Sequence, residues 1–172
     1  MDCKTVMAPI KTSLYTDETA AAVIDFMVEK HMGLIPVIER NGKFAGLISG
    51  DSLMAHMLPK TVRSMGALQN VSYLNETSAD MMERLEYVRS QQVGELVDRD
   101  VEVAHPDTPL IEALMLIKSK QYVVPVVDDD EMLLGAISFF SVLYALREEY
   151  DREKVEEAKI KRREERKAQK NQ

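Results

Sequence analysis

The side chains best able to do chemistry in this 172-residue chain are three histidines, one cysteine and a run of carboxylates. Their spacing supports no catalytic constellation. His31, His56 and His105 lack the intervals to one another, to carboxylates or to Cys3 that a metal centre uses. Cys3 carries no local sign of thiolate activation. Asp128, Asp129, Asp130 and Glu131 fall in a predicted turn, where solvated carboxylates are the ordinary outcome. There is no nucleophile elbow, no P-loop and no paired-glycine dinucleotide loop. What does recur is a pair of serines, Ser49 with Ser52 and Ser138 with Ser141, each pair at the predicted start of a helix. The expectation is a protein that is not an enzyme.

Composition narrows the classes further. The net charge is −7, with a pI near 5.1. A nucleic-acid coat or an anionic-membrane binder needs clustered positive charge to replace counterions, so neither is expected. With 45% hydrophobic residues the chain can bury a substantial core. A single cysteine excludes an internal disulfide and a multi-cysteine zinc site, and fits a reduced compartment. No apolar run reaches the roughly 20 residues of a membrane-spanning helix. Met1 to Thr5 includes Asp2 and Lys4 and leads into no hydrophobic signal segment. A cytoplasmic protein is expected.

The elements that position the serines come from an internal repeat. Leu34-Ile35-Pro36-Val37-Ile38 is echoed by Val123-Val124-Pro125-Val126-Val127, with the prolines 89 residues apart. Gly46 and Gly135 follow at the same separation of 89, as do Ile48 with Ile137, Ser49 with Ser138, and Ser52 with Ser141. Thr19 matches Thr108 at this offset too, so the spacing predicts a gap-free repeat from Thr19 to Leu58.

Each copy reads as β-α-β-β-α. A short extended piece, Ser13 to Tyr15 or Val101 to Ala104, leads to a polar helix start at Thr16–Thr19 or Pro106–Pro109. The following helix has an apolar stripe, Val23, Phe26 and Met27 in one copy and Ala113, Leu114 and Ile117 in the other. A proline-bearing strand, a polar turn and a second strand come next; Asn41-Gly42 is a strong hairpin signal. The last helix opens at Ser49 or Ser138. The predicted divisions are a first repeat over 1–58, a helical insert over 59–92, a second repeat over 93–150 and a charged tail over 151–172.

Within the insert, Thr77 is a predicted cap, and Met81, Leu85 and Val88 recur at helical spacing. This helix is expected to pack across the two repeats, with core packing preferred to a methionine-lined partner groove. Thr61 to Glu76 shows no clear period and reads as irregular or weakly helical. The tail alternates charges of both signs and reads as a solvated helix fraying into disorder, with Lys161 to Arg163 as a basic patch diluted by Glu164 and Glu165.

The repeat closely resembles the cystathionine-β-synthase (CBS) domain. The marks are Ile35-Pro36-Val37 with Gly46-Leu47-Ile48-Ser49, and Val124-Pro125-Val126 with Gly135-Ala136-Ile137-Ser138. The resemblance implies an α/β (α+β) fold, a tandem pair or Bateman module with its two copies packed about a pseudo-twofold axis, and further association into a homodimer. It also implies regulation by an adenosine-containing ligand, of the AMP, ATP or S-adenosyl-methionine type, held between the copies. Adenine would meet the apolar rims Leu34-Ile35 and Val123-Val124, and the helix starts at Ser49 and Ser138 would offer amides and a hydroxyl to ribose or phosphate. Lys11, Thr12 and Val101 are carried into the same candidate set, and Tyr122 stands beside it to stack on a ring or to serve an interface.

Two departures from that resemblance matter. Nucleotide-binding members usually have an aspartate three residues after the opening Ser or Thr; here Ser52 and Ser141 occupy the position, and Asp51 is one residue off. The positions before each proline where basic residues are common hold Gly33-Leu34 and Tyr122-Val123, leaving Lys11, Arg99 and Lys120 as the nearest loop cations. Two readings follow. One is a stand-alone ligand sensor reporting to a separate effector protein; the other is a ligand-free dimerisation or docking module.

Overall fold

A computed structural model describes residues 1–63, 75–119 and 121–170, with the backbone alone for 162–170. Along the chain the elements are α1 (Cys3–Val6), β1 (Ala8–Pro9), β2 (Leu14–Tyr15), α2 (Ala20–Lys30), β3 (Leu34–Ile38), β4 (Phe44–Ser49), α3 (Gly50–Met57) and α4 (Lys60–Arg63). Then come α5 (Ser78–Ser90), α6 (Val93–Leu96), α7 (Leu110–Lys118), β5 (Val123–Val127), β6 (Leu133–Ser138) and α8 (Phe139–Lys170). The fold is mixed α/β, with two three-stranded sheets among the described residues, ordered β2-β3-β4 and β1-β6-β5.

The residues form two compact bodies. The first comprises Ile10–Val103 with Val127–Leu134; the second comprises Met1–Pro9, Ala104–Val126 and the chain from Gly135 onward. In the first, β2 runs parallel to β3 and β3 antiparallel to β4, with Leu34 opposite Ser49 and Ile35 opposite Ile48. The core beneath holds Val23, Ile35, Val37, Ile48, Leu53 and Val88. In the second body the equivalent core holds Cys3, Val6, Ala113, Val124, Val126, Ile137 and Val142. Alternation of burial along the proline-bearing strands is lost because both faces are covered, which suits their wholly apolar sequences, Leu34-Ile35-Pro36-Val37-Ile38 and Val123-Val124-Pro125-Val126-Val127.

Neither body is a continuous stretch of chain. The stretch 91–98, at the head of the second repeat, is fastened to the first body. Ala20 N donates to Gln91 O at 2.9 Å, Gly94 N to Thr16 O at 2.8 Å, and Leu47 and Asp98 exchange both backbone bonds at 2.9 and 2.8 Å. The start of the chain repeats this in the second body. Leu110 N donates to Met1 O at 3.2 Å, Lys4 N to Pro106 O at 2.9 Å, and β1 pairs with β6 through Ala8 and Ala136.

These matched bonds correct the gap-free repeat. Thr19 caps α2, but the cap position of α7 is Pro109, and Thr108 is the counterpart of Glu18. The helices therefore stand 90 residues apart and the strands 89, the one-residue difference falling in the loops after α2 and α7. Buried Ala20 and Val23 thus correspond to buried Leu110 and Ala113.

The insert helix α5 forms where the Thr77 signal places it. Thr77 Oγ1 accepts from Asp80 N at 3.2 Å while the Asp80 carboxylate accepts from Thr77 N at 2.9 Å, a reciprocal cap. It packs against α2 and α3, both of the first repeat. Val88 is 1% exposed, but Met81 and Met82 remain on the surface. Residues 64–74, most of the stretch expected to be irregular, lie outside the described residues; Thr61 falls in α4. The charged tail continues α8 as one 32-residue helix. Among the described residues no helix is long and apolar enough to cross a membrane.

Candidate ligand site

Two half-sites, one in each body, carry the residues singled out in the sequence. In the first, β4 delivers Ser49 to the N-cap of α3. Ser52 N donates to Ser49 Oγ at 3.0 Å, Ser49 N donates to Ser52 Oγ at 3.2 Å, and Ser52 Oγ donates to Ser49 O at 2.8 Å. The second half-site repeats this at the start of α8, with Ser141 N to Ser138 Oγ at 3.3 Å, Ser138 N to Ser141 Oγ at 2.9 Å and Ser141 Oγ to Ser138 O at 3.0 Å.

This geometry assigns different capacities to the paired serines. Ser52 and Ser141 each spend their one hydroxyl hydrogen on the neighbouring carbonyl and one lone pair on the capped amide. Each can still accept, but neither can donate outward. Ser49 and Ser138 accept from an amide and keep their hydroxyl hydrogens free for a ligand acceptor. All four are half-buried.

The apolar rims are narrower than expected. Ile35 and Val124 are fully buried in their respective cores, so their side chains are unavailable to a ligand. Leu34 and Val123, one residue earlier, are half-buried and remain as the rim. Tyr122 is 68% exposed. Lys11 and Thr12 are exposed in the loop before β2, and the Lys11 ammonium has no ion-pair partner among the described residues. Val101 is half-buried. Arg99 is already engaged, donating to Ala45 O at 3.4 Å and lying 3.9 Å from the Glu39 carboxylate. Lys120 lies outside the described residues.

A separate groove of about 530 Å³ in the first body gave no sequence signal; among its lining residues are His56, Leu58, Arg63, Arg84, Tyr87 and Leu96. Its guanidinium groups are committed to the end of α3. Arg84 Nε donates to Met57 O at 2.6 Å and its terminal nitrogen pairs with Glu76, while Arg63 donates to Leu58 O at 3.1 Å and to His56 O. They satisfy the last carbonyls of the helix, as cations at that end do. Cys3 is buried, and desolvation raises its thiol pKa above the ordinary value, so it favours the neutral form. Among the described residues no group of three or more His, Cys, Asp or Glu is placed to hold a metal ion.

The sequence profile of the CBS domain matches twice, at residues 3–59 and 93–148. The chain belongs to the CBS domain family. The first match begins at Cys3, so it takes in α1, whose side chains sit in the second body's core. No curated protein matches the chain in sequence. Among solved structures, the CBS-pair protein CBSX2 from Arabidopsis thaliana superposes with a TM-score of 0.66 at 20% identity, over 87% of this chain and 96% of that one. A structure of CBSX2 in complex with AMP gives 0.63 at 21% identity, over 86% and 96%. CbpB in complex with c-di-AMP gives 0.62 at 18% identity, over 91% of both chains. At these identities the likeness is one of fold: a CBS pair.

Proposed function

We propose that this chain is a regulatory CBS-pair module that senses an adenosine-containing ligand and reports to a separate effector protein. The observation that carries the reading is the duplicated helix start, where Ser49 and Ser138 keep free hydroxyl donors beside the half-buried Leu34 and Val123. AMP in CBSX2 and c-di-AMP in CbpB indicate the ligand class that this fold accepts. AMP, ATP and S-adenosyl-methionine are the candidate ligands, none required for the fold. A ligand acts here by binding one geometry of the pair more tightly than another. The candidate residues in this reading are Lys11, Thr12, Leu34, Ser49, Ser52 and Val101 in the first body, and Tyr122, Val123, Ser138 and Ser141 in the second. Ile35 and Val124 contribute backbone only. A homodimer in the cytoplasm completes the proposal.

Thermal-shift measurements with AMP, ADP, ATP, S-adenosyl-methionine, NADH and c-di-AMP test it. A ligand at 100 times its dissociation constant stabilises by about 2.7 kcal/mol. Absence of a shift with all of them removes the sensor reading. A ligand-free docking module then takes its place, a reading favoured by the commitment of Ser52 and Ser141 to capping.

A further inference from the structure

The groove walled by α3 to α6 in the first body lies apart from the paired serines. His56 stands seven residues beyond Ser49, about 10 Å along α3. Two arginines of the wall are locked onto the end of that helix. Arg63 donates Nε to Leu58 O and Nη2 to His56 O, and Arg84 donates Nε to Met57 O and Nη2 to Glu76. Nη1 of each has no hydrogen-bond partner among the described residues. Lys60, exposed on the same wall, pairs with no carboxylate among them. Guanidinium groups held in place with donors to spare are suited to a carboxylate, and their full charges outweigh the partial charge of the helix end.

The other end of the groove carries the opposite sign. Arg84, Tyr87 and Gln91 are spaced three and four residues apart, so they share one face of α5, with Gln91 about 10 Å beyond Arg84. Two residues later α6 begins and brings Glu95, exposed and in no ion pair among the described residues. Glu83 stands beside Arg84, yet Lys60, Arg63 and Arg84 outnumber Glu76 and Glu83 at that end. Between the two ends lie Tyr87, 64% exposed, and Leu58, 44% exposed.

We infer that this groove seats the C-terminal end of a partner polypeptide. The terminal carboxylate meets Arg63, Arg84 and Lys60, an apolar last side chain packs on Tyr87, and a basic residue two positions earlier meets Glu95. Length selects a peptide over a single amino acid. The ammonium and carboxylate of one amino acid lie within about 4 Å of each other and cannot reach both ends, whereas three extended residues span about 10 Å. A volume of about 530 Å³ accommodates such a segment. The inference does not depend on ligand sensing at the serines.

Titration calorimetry of the full chain with the synthetic peptide acetyl-Gly-Lys-Ala-Leu tests this. The free acid is expected to bind, and its C-terminal amide about tenfold more weakly, because the charge-assisted bonds are lost. Lys60→Met and Glu95→Gln, both at exposed positions, should each weaken binding of the acid by about fivefold to tenfold, and Lys60→Arg should retain it. No binding of the acid, equal binding of acid and amide, or a Lys60→Met variant that binds like wild type overturns the proposal. Displacement of the peptide by an equal concentration of leucine or of inorganic phosphate also overturns it, marking an amino-acid site or a simple anion site instead. A missing thermal shift with AMP removes ligand sensing and leaves this groove untouched.

Discussion

Arg89 of α5 grips the carboxylate of Asp25 on α2 through both terminal nitrogens, at 2.8 and 3.3 Å. The contact pins the insert helix to the first repeat beside Val88, whose side chain is buried in that repeat's core. Two-point contact fixes orientation as well as distance. Exposed ion pairs contribute little on their own, so Val88 supplies the adhesion and the pair supplies the register.

The pair makes α5 sensitive to acid. The hydrogen bond from Arg89 holds the Asp25 carboxyl below its ordinary value of 3.8. A depressed carboxylate stabilises the fold above its unfolded pKa and loses that contribution as pH falls through the lower, folded value. Urea unfolding should show Asp25→Asn weaker than wild type from neutral pH down to about pH 4, with the gap closing below that. A gap that widens on acidification would mean that the carboxylate is not what Arg89 holds.

Gly46 sits at the crossing of β4 and the 97–98 segment. Its φ is +145°, and a Cβ there would lie 2.1 Å from Asp98 O and 2.8 Å from a Val97 methyl. Gly46→Ala should therefore cost about 3 kcal/mol in urea unfolding, combining backbone strain with displacement of the segment that closes the first sheet. Its counterpart Gly135 has no positive φ, and a Cβ would meet Ala8 O at 2.8 Å. Gly135→Ala should cost less, about 1–2 kcal/mol. Gly33, with nothing within 4 Å of its added carbon, is the neutral control. Equal losses at Gly46 and Gly33 would contradict the close approach of Asp98.

The hydroxyl exchange at each helix start is also measurable. Ser49→Ala removes the acceptor for Ser52 N and should cost about 1 kcal/mol. Ser52→Ala removes the reciprocal acceptor for Ser49 N, and its loss should not add fully to the first, because the two groups form one cap. Strict additivity in this double-mutant cycle would show that the serines act independently.

The parts of this fold legible in the sequence are those written by local chemistry. Pro36 and Pro125 mark buried strands, Asn41-Gly42 marks the hairpin, and Thr77 marks the start of α5. The pairing of distant segments left no such trace. Cys3 and Val6 look like an unremarkable amphiphilic start, yet they complete the second core, because only the folded sheet reveals which edge lacks a neighbour. The repeat arithmetic erred by one residue in α7 for a related reason. Thr108 and Thr19 match as letters, but hydrogen bonding equates Thr108 with Glu18 and Pro109 with Thr19. At the half-sites, residue type identified Ser52 and Ser141, while only geometry shows that their protons are already spent.

That expenditure makes Ser141→Asp the most direct probe of the ligand site. The chain already shows an aspartate doing this capping work, since Asp80 accepts from Thr77 N at 2.9 Å at the start of α5. The hydrogen bond from the Thr77 hydroxyl lowers the Asp80 pKa, so the carboxylate is ionised where it caps. An aspartate at 141 should therefore keep the cap and gain from the helix dipole, leaving stability unchanged or slightly higher. Its second oxygen remains available, and a charge-assisted bond to a ribose hydroxyl is about twice as strong as a neutral one. Titration calorimetry should then show AMP binding strengthened by about tenfold relative to wild type. Unchanged affinity in a variant whose melting temperature matches the wild type would place the ribose away from the start of α8.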